Sequence, residues 1–254
     1  MPRLNLYANS GFPFTRLADL AETAVVLPEN PNAYQIETYL QTLAFLGART
    51  GYPGLRVTVL DSSQAAGVRN KDLLVLSGMD RSNLPAAWEN ELAIQRQNGQ
   101  SAVTERRRLM SFLPCTRSAA ERSHLEERLS ASPPPEAILQ EFASPADPER
   151  VVAVIQTAAR PDQSPLLTIF GGGAAVAGIY GDVSVYQDDW FHSFQILPGN
   201  YHIGHLGWHA NFDYWVGQHF LVIPAILLIC ASLLAFVVDG WLKRRSKWRL
   251  HVES

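Results

Sequence analysis

Up to Pro198 the chain alternates short continuous apolar runs with amphipathic stretches; beyond it Gly, His and aromatic residues dominate. Thr23–Leu27 (TAVVL) reads as a buried strand stopped by Pro28 and Pro31. Asn32 can cap a helix running to about Gly47, with Ile36, Tyr39, Leu40, Leu43, Phe45 and Leu46 mostly at helical spacing and Gly47 and Gly51 ending it. Leu55–Leu60 alternates like a strand, and Leu73–Leu76 is a continuous apolar run closed by Ser77-Gly78. A helix is predicted from Pro85 to Gln97 and another from Ser118 to Leu129, the latter stopped by Pro133-Pro134-Pro135. Pro148 opens a predicted helix over Glu149–Ala159. Leu166–Phe170 reads as a core strand running into Gly171-Gly172-Gly173, and Val183–Tyr186 as an edge strand. Strands alternating with helices predict an α/β domain on a parallel sheet.

Phe220–Val238 breaks this pattern. Its nineteen residues carry no charge, and Ser232 is the one polar side chain among them. As a helix the run is roughly 28 Å long, enough for a ~30 Å hydrocarbon core. Its apolar character goes all the way round, unlike the stripe of a surface helix. Pro224 falls in the first turn, where its missing N–H matters little. Phe220, Ile223, Leu227, Leu228, Leu234, Phe236 and Val238 are the expected anchor residues. Trp208, Tyr214 and Trp215 before the span and Trp241 after it suit the two interfaces. Lys243, Arg244, Arg245, Lys247 and Arg249 form a cytoplasmic stop by the positive-inside rule.

Charge sharpens this division. The chain is 47% hydrophobic with a formal net charge of −3. Residues 239–254 carry +3, leaving −6 on the rest. Abundant apolar residues exclude a wholly disordered chain, and the acidic balance argues against a nucleic-acid binder. The predicted organisation is a remnant or linker of an upstream domain (1–22), an α/β domain (23–198), an aromatic, His-rich interface segment (199–219), a span (220–238) and a basic tail (239–254). MPRLNLYANSGFPF has no signal-peptide pattern, so the export signal is expected upstream of this sequence.

Candidate chemistry is sparse. GGGAAVAGIYG (Gly171–Gly181) follows a predicted strand, where a phosphate cradle would sit, but it lacks the P-loop ending and G-x-G-x-x-G spacing. A tight strand exit is the simpler reading. His202, His205 and His209, with Asp213 four residues on, could share a helical face and hold a metal, but Gly204 and Gly207 interrupt that helix. Interfacial anchoring fits the interleaved aromatics better. The pairs Asp188-Asp189 and Glu126-Glu127 point their carboxylates apart, and Arg106-Arg107-Arg108 reads as a solvated basic spot. Cys115 and Cys230 suggest no disulfide framework. No catalytic, cofactor or metal residues are assigned.

Ala8–Pro31 (ANSGFPFTRLADLAETAVVLPENP), Gly47–Val59 (GARTGYPGLRVTV), Lys71–Gly78 (KDLLVLSG) and the aromatic approach, span and KRR stop together resemble the regulatory-subunit family of bacterial cellulose synthase, also called the cyclic di-GMP-binding protein of cellulose synthase. The resemblance covers nearly the whole chain but only about the C-terminal third of a family member. It implies a flavodoxin-like domain in the periplasm, an amphipathic interface segment and one inner-membrane anchor with a cytoplasmic C-terminus. The implied partners are the cellulose synthase catalytic subunit, the bilayer, nascent glucan and further copies of the same subunit, with no nucleic-acid polymer. The subunit implied is non-catalytic and holds no cofactor, and cyclic di-GMP comes with the family's name. The alternative is a membrane-anchored flavodoxin-like flavin or nucleotide binder or enzyme, suggested by the α/β alternation and the glycine run.

Overall fold

A computed structural model describes residues 4–79, 84–97, 100–104, 116–158, 169, 171, 174–197, 207–209 and 222–252. Two compact units emerge, residues 1–204 and 205–254. The first is built on a seven-stranded mixed sheet. Its strands are β1 (Thr23–Val26), β2 (Thr58–Leu60), β3 (Asp72–Gly78), β6 (Ala137–Ala143), β7 (Val151–Thr157), β8 (Val183–Gln187) and β9 (Trp190–Phe194). Their spatial order is β2-β1-β3-β7-β6-β8-β9. A separate two-stranded ribbon pairs β4 (Ile94–Gln97) with β5 (Gln100–Val103). Helices α1 (Leu4–Ser10), α2 (Ala33–Thr50), α3 (Ser62–Ala65), α4 (Thr116–Ser130) and α5 (Ala174–Ala177) complete the unit. The second unit contains α6 (Val222–Val252).

The first half follows the sequence pattern. β1 is buried at every position, and α2 begins at a capping box in which Asn32 and Gln35 exchange side-chain bonds with each other's backbone N–H. Gly51 ends α2 in the left-handed conformation (φ 67°). β2 is shorter than the predicted Leu55–Leu60 strand, and Leu55 is 73% exposed.

Four expectations require correction. Val151–Thr157, inside the predicted helix over Glu149–Ala159, is a strand buried throughout and paired on both sides. A run such as VVAVI satisfies helical spacing and a centrally buried strand equally, and the sheet decides between them. The predicted helix Pro85–Gln97 is a 3₁₀ turn over Ala86–Glu91, after which the chain extends as β4. The Ile94 backbone pairs with the Gln140 side chain, Ile94 N to Gln140 Oε1 at 2.8 Å and Gln140 Nε2 to Ile94 O at 3.2 Å. Val183–Tyr186 is interior rather than an edge, because β9 covers it. Ile169, the described residue of the predicted Leu166–Phe170 strand, is helical.

The sheet is parallel only in part. β2, β1, β3 and β7 are parallel, while β6, β8 and β9 join antiparallel. β6 and β7 are separated by residues 144–150, too few for a crossover, so their pairing must be antiparallel. One face packs Leu74, Leu76, Leu139 and Ile155 against Phe45 and Leu46 of α2 and against Leu4, Tyr7, Ala8, Phe14 and Leu20. The segment from Leu4 to Leu20 thus contributes directly to this core. The other face packs Leu73, Val75, Val152 and Val154 with Leu84, Trp88 and Leu92. A third cluster sets Leu125 of α4 against Ile138, Val183, Val185 and Phe194.

Candidate functional site

The anchor residues read from the sequence fall on α6. Leu227, Leu228, Leu234, Phe236 and Val238 are exposed, at 71% for Leu228 and 77% for Phe236. Ile229, Leu233 and Val237, which lie between them, are exposed as well. Exposure of consecutive residues means that apolar surface faces outward around the whole helix, not along one stripe. Ser232 Oγ donates to Leu228 O at 2.8 Å, so the polar group within this stretch is satisfied inside the helix. At the end of the uncharged stretch Lys243 Nζ lies 2.7 Å from Asp239 Oδ2, one turn apart.

Among the described residues no helix is long and apolar enough to cross a membrane. The uncharged stretch with continuously described side chains is Leu227–Val238, twelve residues or roughly 18 Å of helix. Phe220 lies outside the described residues, as does the Ile223 side chain. Trp208 and Trp241 are exposed, while Tyr214 and Trp215 lie outside the described residues. Arg244, Arg245, Lys247 and Arg249 belong to α6 by backbone, and their side chains lie outside the described set. His202, His205, Asp213, Cys115 and Arg106-Arg107-Arg108 also lie outside it. Among the described residues no group of three or more His, Cys, Asp or Glu could hold a metal.

The structure assembles two charged arrangements that the sequence pattern does not announce. At the starting ends of β1, β3 and β7, Asp72 is buried and accepts the Val151 N–H at 2.9 Å. Arg150 Nη1 lies 2.7 Å from Glu22 Oε2 and 3.4 Å from Asp72 Oδ2. Arg16 bridges the same two carboxylates at 3.2 and 3.3 Å. The Arg150 hydrogen bond holds Glu22 below the usual carboxylate range. Burial pushes Asp72 upward, opposed by the Val151 N–H and the two guanidinium groups. Two cations on two carboxylates neutralise one another, and their position against strand starts fixes the sheet rather than presenting a reactive group.

The second arrangement lies where the chain leaves the sheet. Asp182, fully buried, accepts the Ile196 N–H at 2.7 Å and the Leu197 N–H, while Glu121 of α4 accepts the Gln195 N–H at 2.8 Å. Three consecutive amides are therefore held by two carboxylates from separate elements. Burial pushes Asp182 up to about 6, against the pull of its amide donors. Charged residues directly before apolar runs (Asp72 before LLVL, Arg150 before VVAVI, Asp182 before VSVY) are the sequence signal that could have located both arrangements.

A family model described as cellulose synthase BcsB, second FD domain, matches residues 1–155. That range includes Arg16, Glu22, Asp72 and Arg150. The cyclic di-GMP-binding protein of Salmonella typhimurium is 30% identical over 254 residues, covering 98% of this chain and 32% of that protein. The protein of the same name from Xanthomonas axonopodis pv. citri is 31% identical over 258 residues, covering 99% and 32%. That from Escherichia coli K12 is 28% identical, covering 100% and 32%. The chain spans about a third of the length of these curated relatives.

Proposed function

Because the chain belongs to the cellulose synthase BcsB family, we propose that it forms the membrane-anchoring end of a non-catalytic cellulose synthase subunit. In this reading residues 220–238 span the inner membrane, 239–254 lie in the cytoplasm, and the flavodoxin-like sheet domain lies in the periplasm. The anchor associates with the catalytic subunit and so supports glucan synthesis and export. The carrying observation is the exposed apolar surface of α6 around Leu227–Val238, ended by Asp239 and Lys243. Such surface is unfavourable in water at about 25 cal/mol per Å² and is matched by lipid or another apolar helix. Cyclic di-GMP comes with the relatives' name. In this topology only the basic tail meets a cytosolic dinucleotide, and direct binding is not assigned to any residue.

The test is expression of the full chain and of a version ending at residue 219, followed by alkaline carbonate extraction of the membranes. The full chain is expected in the pellet and the shorter version in the supernatant. Equal release of both would overturn the anchor. Co-purification with the catalytic subunit, lost on the same truncation, tests the partner.

A further inference from the structure

Two loops, Leu17–Leu20 (LADL) and Gly51–Arg56 (GYPGLR), serve neither the anchor nor the buried charge network, and the fold lays them against each other. Asp19 O accepts the Arg56 N–H at 3.0 Å, and Arg56 Nη1 lies 3.2 Å from Asp19 Oδ2. Leu20, fully buried in the left-handed conformation (φ 58°), occupies the space beside Gly54, where a Cβ would stand 2.6 Å from Leu20 Cδ1. The tip of the second loop is fixed as well. Thr50 Oγ1 donates to Tyr52 O at 3.1 Å and the Leu55 N–H to Pro53 O at 2.8 Å. Held in this way, the two loops leave Leu55 73%, Tyr52 48% and Leu17 41% exposed. Single exposed leucines are ordinary, but three large apolar side chains on two interlocked loops make a patch. Its charge differs from that of the chain around it. Residues 38–60 contain no Asp or Glu, and Arg49 and Arg56 bracket the tip, although residues 1–238 carry −6.

Topology says what this patch faces. The loops precede β1 and β2, so they lie at the end of the sheet where β1, β3 and β7 start. β6 runs against β7, β8 against β6 and β9 against β8, so β9 finishes at that same end. From there Gln195–Leu197, docked on Glu121 and Asp182, leads toward residues 220–238. β2 and β9 are the two outer strands of the sheet, which puts the patch and the exit at opposite corners of one end, roughly 29 Å apart. The other end carries the exposed acids Glu29, Glu37, Asp188 and Asp189. We propose that Leu17, Tyr52 and Leu55 form a second membrane contact, seated in the headgroup layer of the bilayer that α6 enters, with Arg49 and Arg56 toward anionic phospholipid headgroups. The proposal rests on the anchor reading above for the bilayer at this end. A tether at the β9 corner alone lets the domain tilt, and a contact at the β2 corner fixes that tilt and keeps the acidic end away from anionic lipid. Because the tip is held by its own bonds, docking it costs little ordering.

The test places a nitrobenzoxadiazole dye on one cysteine of the full chain, reconstituted in vesicles of phosphatidylcholine and phosphatidylglycerol that carry nitroxide lipids. Leu55→Cys and Glu29→Cys are each made with Cys115→Ser and Cys230→Ser, and a third chain keeps only Cys230, exposed on α6. A nitroxide near the headgroup is expected to quench the dye at position 55 at least about threefold more than at position 29. A mid-chain nitroxide should quench the dye on Cys230, which reports the anchor. Leu17→Ser with Tyr52→Ser should remove about half of the quenching at position 55, which separates the pull of the patch from that of the dye. The comparison of positions 55 and 29 decides the matter if this double variant does not fold. Equal quenching at positions 55 and 29 beside a quenched Cys230 dye would overturn the patch and leave the anchor standing. Quenching at 55 without quenching at Cys230 would sustain the patch and remove the anchor, and quenching at neither would overturn both. Shielding of position 55 that is missing in lipid alone and returns with added catalytic subunit would assign the patch to that protein and overturn the lipid contact.

Discussion

The guanidinium of Arg150 lies 3.4 Å from the carboxylate of Asp72, a group 78 residues earlier whose side chain is only 1% exposed. This contact ties the start of β7 to the start of β3, with the Val151 N–H to Asp72 beside it. Arg150→Met leaves Asp72 buried with Arg16 as its remaining cation, and breaking such a pair typically costs about 3 kcal/mol. Chemical denaturation of the full chain in detergent should show a clear fall in midpoint. Exchanging both partners, as Arg150→Met with Asp72→Leu, should recover part of it, because no unpaired charge remains. A midpoint unchanged by Arg150→Met alone would place the stabilisation elsewhere.

Much of this frame is legible in the sequence, and the lost parts share a cause. TAVVL and LLVL are bounded by polar or turn residues and could only be strands, while Asn32 announces its helix by a cap whose partner stands three residues on. VVAVI has polar boundaries too, but its five residues suit a helix as well as a strand, and its role depends on neighbours at β3 and β6 that spacing cannot reveal. β6 is hidden by Gln140 and Glu141, which look like surface residues but are buried. Gln140 is tolerated there because its amide bonds to Ile94 and Gln156. The charged residues ahead of the apolar runs are visible in the sequence, but their pairing is not. Arg16, Glu22, Asp72 and Arg150 meet only after the strands have been ordered. The apolar run of α6 needs no tertiary partner to be recognised, since charge-free length is a property of the sequence alone.

Gly181 (φ 68°) precedes β8 at a point where an added Cβ would lie 2.2 Å from Phe194 O. That oxygen is backbone and accepts the Asp182 N–H, so it cannot move aside cheaply. Gly181→Ala combines positive-φ strain with a steric clash, and a loss of at least about 2 kcal/mol is expected. Thermal unfolding of the variant should show the drop. The same substitution at Gly51, also at positive φ but with nothing within 4 Å, should cost less. Equal effects at the two sites would mean that strain alone governs Gly181.

The proposed span makes a directional prediction. Leu228→Arg places a charge near the middle of 220–238, where insertion costs about 2.5–3.5 kcal/mol. The fraction resisting carbonate extraction should fall, whereas Leu242→Arg, next to Lys243, should leave it unchanged. A separate pair, Ser232→Leu with Ala235→Leu, enlarges two small residues of α6 and should weaken co-purification with the catalytic subunit without releasing the chain from the membrane. Unchanged co-purification would remove that face from the contact.

Asp182 gives the sheet domain a pH dependence opposite to that of an ion-paired carboxylate such as Glu22. Its ordinary value is 3.8, and burial raises it to about 6 in the folded state. Below the ordinary value both folded and unfolded chains hold the proton, and the group adds no slope. Between the two values the folded chain keeps a proton that the unfolded chain has released, so stability falls as pH rises. The loss is complete above the folded value and is bounded at about 3 kcal/mol by that shift. Asp182→Asn removes this titration but sets an amide N–H₂ or a single oxygen against the Ile196 and Leu197 N–H groups, at a constant cost of about 1–3 kcal/mol. Urea midpoints at pH 4.5 and pH 7.5 should therefore differ less in the variant than in the parent chain, by the Asp182 contribution. If both lose the same stability between those two values, burial of Asp182 does not control the slope.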